Sequence, residues 1–285
     1  MGKVMKQLAS IFGTVIVVFL VPAAGLAQDK SAKAGRVGCP HCLNDGSPIS
    51  QSLQKSDDLY GSFKTKEALN ELQKVLAWDP QNAEALSKIS RVHIDLGDMI
   101  PETANGWQEK RLKEYRTAEE YARRAVKADP NSTWGYFYVA ASLGSVATVS
   151  PVPKQIDLAD EIRGAVEKAI ALDPHNGFAY HIYGVWHRKM AEIGKMSRML
   201  ASVFYGRTVA SGSVEKSIEY LKKAVALNPT VIASRLELAR SYAAVENWPE
   251  ARNLLAAIQK LPVLFSDDPK HKETAVKLLA EIKDN

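Results

Sequence analysis

One phrase recurs four times along this chain and decides its architecture before any single residue is weighed. It is clearest at Ala165–Tyr183, AVEKAIALDPHNGFAYHIY. Ala165, Val166, Ala169, Ile170 and Leu172 recur at three- and four-residue intervals, which places them on one face of a helix. Pro174 stops that helix, because proline has no N–H to donate and its ring disfavours helical geometry at the residue before it. A second apolar helical pattern then begins a turn later. The same phrase appears as VLAWDPQNAEAL at Val75–Leu86, AVKADPNSTWGY at Ala125–Tyr136 and AVALNPTVIASR at Ala224–Arg235. A helix pair that reappears along a chain is the signature of a solenoid. The repeat predicts an all-α fold, a right-handed α-solenoid of helix hairpins with elongated helices and a C-terminal capping helix.

Tetratricopeptide units are 34-residue hairpins with small residues where helices cross and a proline closing the second helix. Counting back from each proline gives crossing positions Ala68, Leu72 and Val75; Ala118, Ala122 and Ala125; Ile162, Val166 and Ala169; and Ser217, Leu221 and Ala224. Small residues fill enough of these for the backbones to approach closely. The prolines, however, lie 50, 44 and 55 residues apart, so these units exceed the standard length. For Gly106–Ala128 a longer second helix is expected, since Trp107, Leu112, Tyr115, Ala118 and Ala122 keep a stripe. After His187 a longer first helix is expected, with Trp186, Met190, Ile193, Leu200, Val203 and Phe204 on one face and Gly206 as its stop. Lys270–Lys283, with Ala275, Leu278, Leu279 and Ile282 inward, reads as the cap that a solenoid's last face requires.

Upstream of the repeats, MGKVMKQ is basic, Leu8–Val21 is apolar, and Gly25 and Ala27 offer small side chains for cleavage. That order describes a secretory signal peptide over residues 1–27. Fourteen residues fall short of the ~20 that a spanning helix needs, so a retained anchor is the lesser alternative. Residues 28–51 read as a flexible linker carrying Cys39-Pro-His-Cys42. In an exported protein the pair Cys39 and Cys42 reads first as a small local disulfide. Unpaired or intermolecular thiols come next, then redox or metal chemistry. No preceding strand or βαβ unit supplies a thioredoxin-like setting, and no fourth ligand stands nearby. Residues 52–285 form the helical repeat domain, and the expected location is periplasmic or secreted, membrane-associated if the leader is kept.

Charge excludes one class of partner. The chain has 37 basic and 32 acidic residues, and two of the lysines lie in the leader, leaving +3 on the remainder. Nucleic-acid binders carry a clustered basic face, which is not seen here. No paired acids, Gly-rich phosphate loop or nucleophile motif stands out. The expectation is a chain that is not an enzyme and takes no cofactor, with no catalytic residue and no metal site.

The elongated spacing resembles that of the regulator of microtubule dynamics family. So do the runs Ala179-Tyr-His-Ile-Tyr-Gly-Val-Trp186, Met199-Leu-Ala-Ser-Val-Phe-Tyr-Gly206 and Arg235-Leu-Glu-Leu-Ala-Arg-Ser-Tyr242. The similarity spans roughly Ser52–Leu279. It implies an all-helical, tetratricopeptide-like domain without enzymatic activity; eukaryotic members associate with microtubules or sit at organelle membranes. The leader and the cysteine pair depart from the family and point to a bacterial exported relative. Arg207-Thr-Val-Ala also departs, where the family tends to have prolines. An exported protein does not meet cytoplasmic tubulin, so the fold carries over rather than the partner.

In a repeat solenoid the inward side chains of each first helix line a concave groove that grips a peptide. The positions expected there are Glu84, Ser87 and Arg91; Trp134, Phe137 and Ala141; Phe178, His181, Val185 and Arg188; and Leu236 and Arg240. Arg91, Trp134, Phe137, Phe178, His181, Arg188 and Arg240 form the expected partner-binding set, an aromatic floor with arginines suited to an apolar ligand with one acidic end. His181 and His187, six apart, point to different sides of a helix and make no metal face. The partner is a protein or peptide. A lipid or membrane surface, met by the elongated third unit and its basic flank Lys189, Lys195, Arg198 and Arg207, is the second reading. A thiol oxidoreductase acting through Cys39 and Cys42 is the third.

Overall fold

The computed structural model describes residues 46–193 and 210–283, with positions 198, 199, 202, 203 and 206 between them. The leader, Cys39 and Cys42 lie outside the described residues. Among the described residues eleven complete helices follow one another and no strand occurs. They pair as hairpins: α1 (Pro48–Gly61) with α2 (Thr65–Trp78), α3 (Ala83–Asp98) with α4 (Trp107–Ala128), and α5 (Thr133–Thr148) with α6 (Val152–Leu172). Then come α7 (Gly177–Glu192) with α8 (Val214–Leu227), α9 (Ile232–Ala243) with α10 (Trp248–Ile258), and the terminal α11 (Asp268–Glu281). The first helix begins at Pro48, inside the stretch read from sequence as linker, with the Ser47 hydroxyl capping the Ser50 amide.

The four proline junctions share a local chemistry. At three of them the aspartate that ends one helix is extended, and its carboxylate accepts the amide two residues on: Asp79 from Gln81, Asp129 from Asn131, Asp173 from His175. The next residue, Asn82, Ser132 or Asn176, caps the following helix by accepting the amide three residues on. Each such cap satisfies a donor that the first helical turn leaves free and is worth about 1 kcal/mol. At the fourth junction Val231 occupies the cap position and no side chain caps α9. The motif is therefore Asp-Pro-x-Asn/Ser, a stop and a start written together.

All twelve crossing positions counted back from the prolines are buried, most of them completely. Close approach within a hairpin shows at Gly184, where an added Cβ would lie 2.5 Å from Leu221 Cγ. Consecutive first helices touch, α3 with α5, α5 with α7, and α7 with α9. The same helices bury most of their length, whereas α4 and α8 bury only a stripe. Helices α3, α5, α7 and α9 thus form an inner layer and α4, α6 and α8 an outer one. The core is one large cluster through α3–α9, with smaller ones at each end. At the C-terminal end Ala275 and Ile282 of the last segment close over Ile232, Leu236, Ala251 and Leu255.

Extra length enters in two ways. Helices α4 and α6 run to 22 and 21 residues, so the expected long second helix is present at α4. The expected long first helix after His187 is not: α7 stops at Glu192, and Ile193 is extended. Of the expected apolar stripe, Trp186, Met190 and Ile193 are buried and Val203 is 73% exposed, whereas Leu200 and Phe204 lie outside the described residues. The returning chain packs tightly on the end of α7. A Cβ at Gly212 would lie 2.0 Å from the His187 carbonyl oxygen, which leaves no room for a side chain.

Candidate partner-binding site

The inner layer is where the sequence places the binding residues, and the structure closes much of it. Arg91, Phe137, His181 and Arg188 are each at most 5% exposed, and Ser87, Ala141, Phe178, Val185 and Leu236 are buried as well. Trp134, Glu84 and Arg240 remain partly exposed. Trp134 meets Phe137 edge-on at 5.4 Å and Phe178 at 6.0 Å, so these aromatics knit α5 to α7. His181 Nδ1 pairs with the Ser234 hydroxyl of α9 at 3.1 Å. Arg188 pairs with Glu237 across α7 and α9 and with Glu192 on its own helix, and Arg240 also reaches Glu237. Burial alone would raise the Glu237 carboxyl; the two arginines and His181 override it and hold it near pH 2. Most of the named residues therefore join neighbouring inner helices. They do not stand open as a floor.

His187 is different. It is buried against Tyr183, Trp186 and Tyr220, and neither ring nitrogen has a hydrogen-bond partner. Burial pushes its pKa down to about 4, so it is neutral near pH 7. His175 is solvent-exposed.

Two features escaped the sequence reading. The first is the turn before α11. Phe265 is buried in the central cluster with Ile94, Tyr115 and Phe137, which sets this turn against the inner layer. Asp267 lies close enough to Asp95 and Asp98, at the end of α3, for their charges to interact. Tyr60 donates to Asp95 at 2.5 Å and Tyr115 to Asp98 at 2.6 Å. The Arg91 guanidinium carbon lies over the Tyr60 ring, 3.7 Å from its centroid. Burial raises all three carboxyls, Asp98 to about 7. Asp267, Asp268 and His271 also offer ligand atoms within 4.8 Å of one another. The spacing D-D-x-x-H at a helix start was the signal available for this group.

The second is an open cleft of about 460 Å³ on the outer side, where α4 and α6 straddle α5. Val126, Val139 and Ala165 line its floor, and exposed Arg123, Lys127 and Glu161 stand at its edge. Arg123 bridges to Glu161 at 2.6 Å across the two helices. Next to it, Gly164 faces open space.

Two stacked layers of antiparallel helices, joined by Asp/Asn-Pro turns, define the class: a tetratricopeptide-like α-solenoid. A solved structure of the same shape is the thermophilic TPR protein TTC0263 of Thermus thermophilus, with a TM-score of 0.57, 17% identity, and coverage of 80% of this chain and 98% of that one. Within that class, the family description Regulator of microtubule dynamics protein 1-3 matches residues 52–283, and the chain belongs to that family. Regulator of microtubule dynamics protein 1 of Bos taurus is 25% identical over 237 residues, 83% of this chain and 73% of the relative. The protein of the same name from Caenorhabditis elegans is 24% identical over 218 residues, 76% of this chain and 93% of the relative.

Proposed function

We propose that the chain is an exported, non-enzymatic scaffold that docks a segment of a partner protein on its helical surface. What carries this reading is the solenoid of helix hairpins, an architecture typical of protein-interaction scaffolds. The docking position it favours is the outer cleft between α4 and α6, which is open and apolar at its floor with charged side chains at its edge. The inner groove expected from sequence is largely consumed by contacts between α3, α5, α7 and α9. Gly164→Arg tests the cleft without touching the core, since the new side chain projects into open space. Proteins cross-linked to the wild-type chain in its native envelope or secreted fraction should be lost with this variant while the helical circular dichroism is unchanged. An identical set of cross-links in both would overturn the cleft assignment. Export is supported by the tripartite leader at residues 1–27. Intact-mass measurement of protein taken from that fraction should show the chain beginning at Gln28, and a full-length mass in the cytosol would exclude it.

A second reading, lipid or membrane contact, is favoured by one observation. Met199 and Val203 expose large apolar side chains beside Arg198, whose guanidinium is tied to the Met190 carbonyl at 3.0 Å. Among the described residues no helix is long and apolar enough to cross a membrane, so such contact would be peripheral. Organic extraction of purified protein followed by mass spectrometry decides it: near-stoichiometric lipid supports this reading, and its absence removes it.

A further inference from the structure

We propose that the start of α11 is a binding site for a first-row divalent cation, held by Asp267, Asp268 and His271. All three offer a ligand atom within 4.8 Å of the others. Asp268 is 0% and His271 2% exposed, yet Asp268 Oδ1 and His271 Nδ1 have no hydrogen-bond partner, and they face each other at 3.9 Å. That separation is too long for a hydrogen bond. It is close to the value of about 3.4 Å between two ligand atoms on one tetrahedral zinc ion at Zn–N and Zn–O lengths of ~2.1 Å. An ordinary capping arrangement would leave no such pair, since buried polar atoms are nearly always satisfied.

The surroundings fix the ligands in place. Asp268 Oδ2 accepts the amides of Leu264 and Phe265 at 2.8 and 2.9 Å, so its carboxylate is oriented and its other oxygen is left over. Asp267, partly exposed, also approaches the ring, its Oδ2 3.6 Å from His271 Nε2, and is the side from which an ion and its water would enter. One imidazole with two carboxylates is a donor set suited to zinc or manganese rather than calcium, which takes more oxygens. Bound there, the ion would fasten the Phe265 turn to the inner layer, because the same Asp268 holds the turn's amides.

Zinc titration of chelator-stripped full-length protein tests this. Cys39, His41 and Cys42 carry atoms that would compete for added zinc, so the titration is run on a Cys39→Ser/Cys42→Ser variant. This variant should bind one zinc per chain, and its Tm should rise by roughly 5–10 °C at about 100 times Kd. His271→Gln in the same background should abolish the bound equivalent and the Tm rise. Asp267→Asn, at a partly exposed position that spares the core, should weaken binding at least tenfold if His271→Gln fails to fold. Cobalt in place of zinc should give a visible ligand-field spectrum that Asp267→Asn alters. Absence of zinc binding by the cysteine-free variant, or affinity unmoved by Asp267→Asn, overturns the proposal.

Discussion

Asp98, half-buried, and His187, buried, are titratable groups whose contributions run in opposite directions. Burial raises Asp98 from 3.8 to about 7, against the Tyr115 hydrogen bond; Asp267, Arg111 and Lys270 are the charges that face it. Between about pH 4 and 7 the folded chain therefore holds a proton that the unfolded chain has released, and stability falls as pH rises through that window. The three-unit shift corresponds to something on the order of 4 kcal/mol. Asp98→Asn, permanently neutral, should flatten this slope in urea unfolding at pH 5 and pH 7.5 with chelator present; an unchanged slope would assign the pH dependence elsewhere. For His187 the folded pKa lies below the ordinary 6.5. Its proton is refused on folding, so stability is lost as pH falls from about 6.5 toward 4. His187→Phe should remove that loss while keeping the ring stack, which the same titration at pH 6.5 and 4.5 reads. Glu237 is a third case: it is buried and meets two arginines. Glu237→Gln leaves Arg188 buried without its counter-charge and should cost about 3–5 kcal/mol, whereas Arg188→Met/Glu237→Leu together should cost far less. Equal losses in the single and double variants would refute the pairing.

At the scale of elements, the hairpins depend on how near two backbones come. Gly184 and Leu221 set the contact between α7 and α8, with 2.5 Å available where a methyl group would go. Gly184→Ala should push these helices apart and cost about 1–3 kcal/mol, visible as a lower urea midpoint with an unchanged slope. A neutral result would mean that Leu221 turns aside freely. The hairpin crossings were legible in the sequence because a proline marks the end of each second helix, and counting from it needs no knowledge of what comes later. The end of α7 was not, since Met190 and Ile193 keep a helical period up to the point where the helix stops and Gly212 returns onto the His187 carbonyl. The inner residues were placed on the right helices, but whether Arg91 or His181 lines an open groove or a closed seam depends on superhelical curvature. No local pattern encodes that. The acids of α3 and the His271 cluster come together only after the whole array has turned.

Across the whole molecule, the turn at Phe265 is the contact of greatest reach. Phe265→Ala should cost about 3–5 kcal/mol and increase binding of a hydrophobic dye, because the central cluster that holds Ile94 and Phe137 is uncovered. A variant as stable as the parent would show that the turn merely rests there. A stack of hairpins is ordinarily a linear array in which each unit senses only its neighbours and the ends melt first. Here the chain's last turn is fastened back against the second hairpin, so the C-terminal end is not free to peel off alone. Amide exchange in α3 and α9 should then report one shared opening, as in a clasped necklace, where a string of beads would give a gradient.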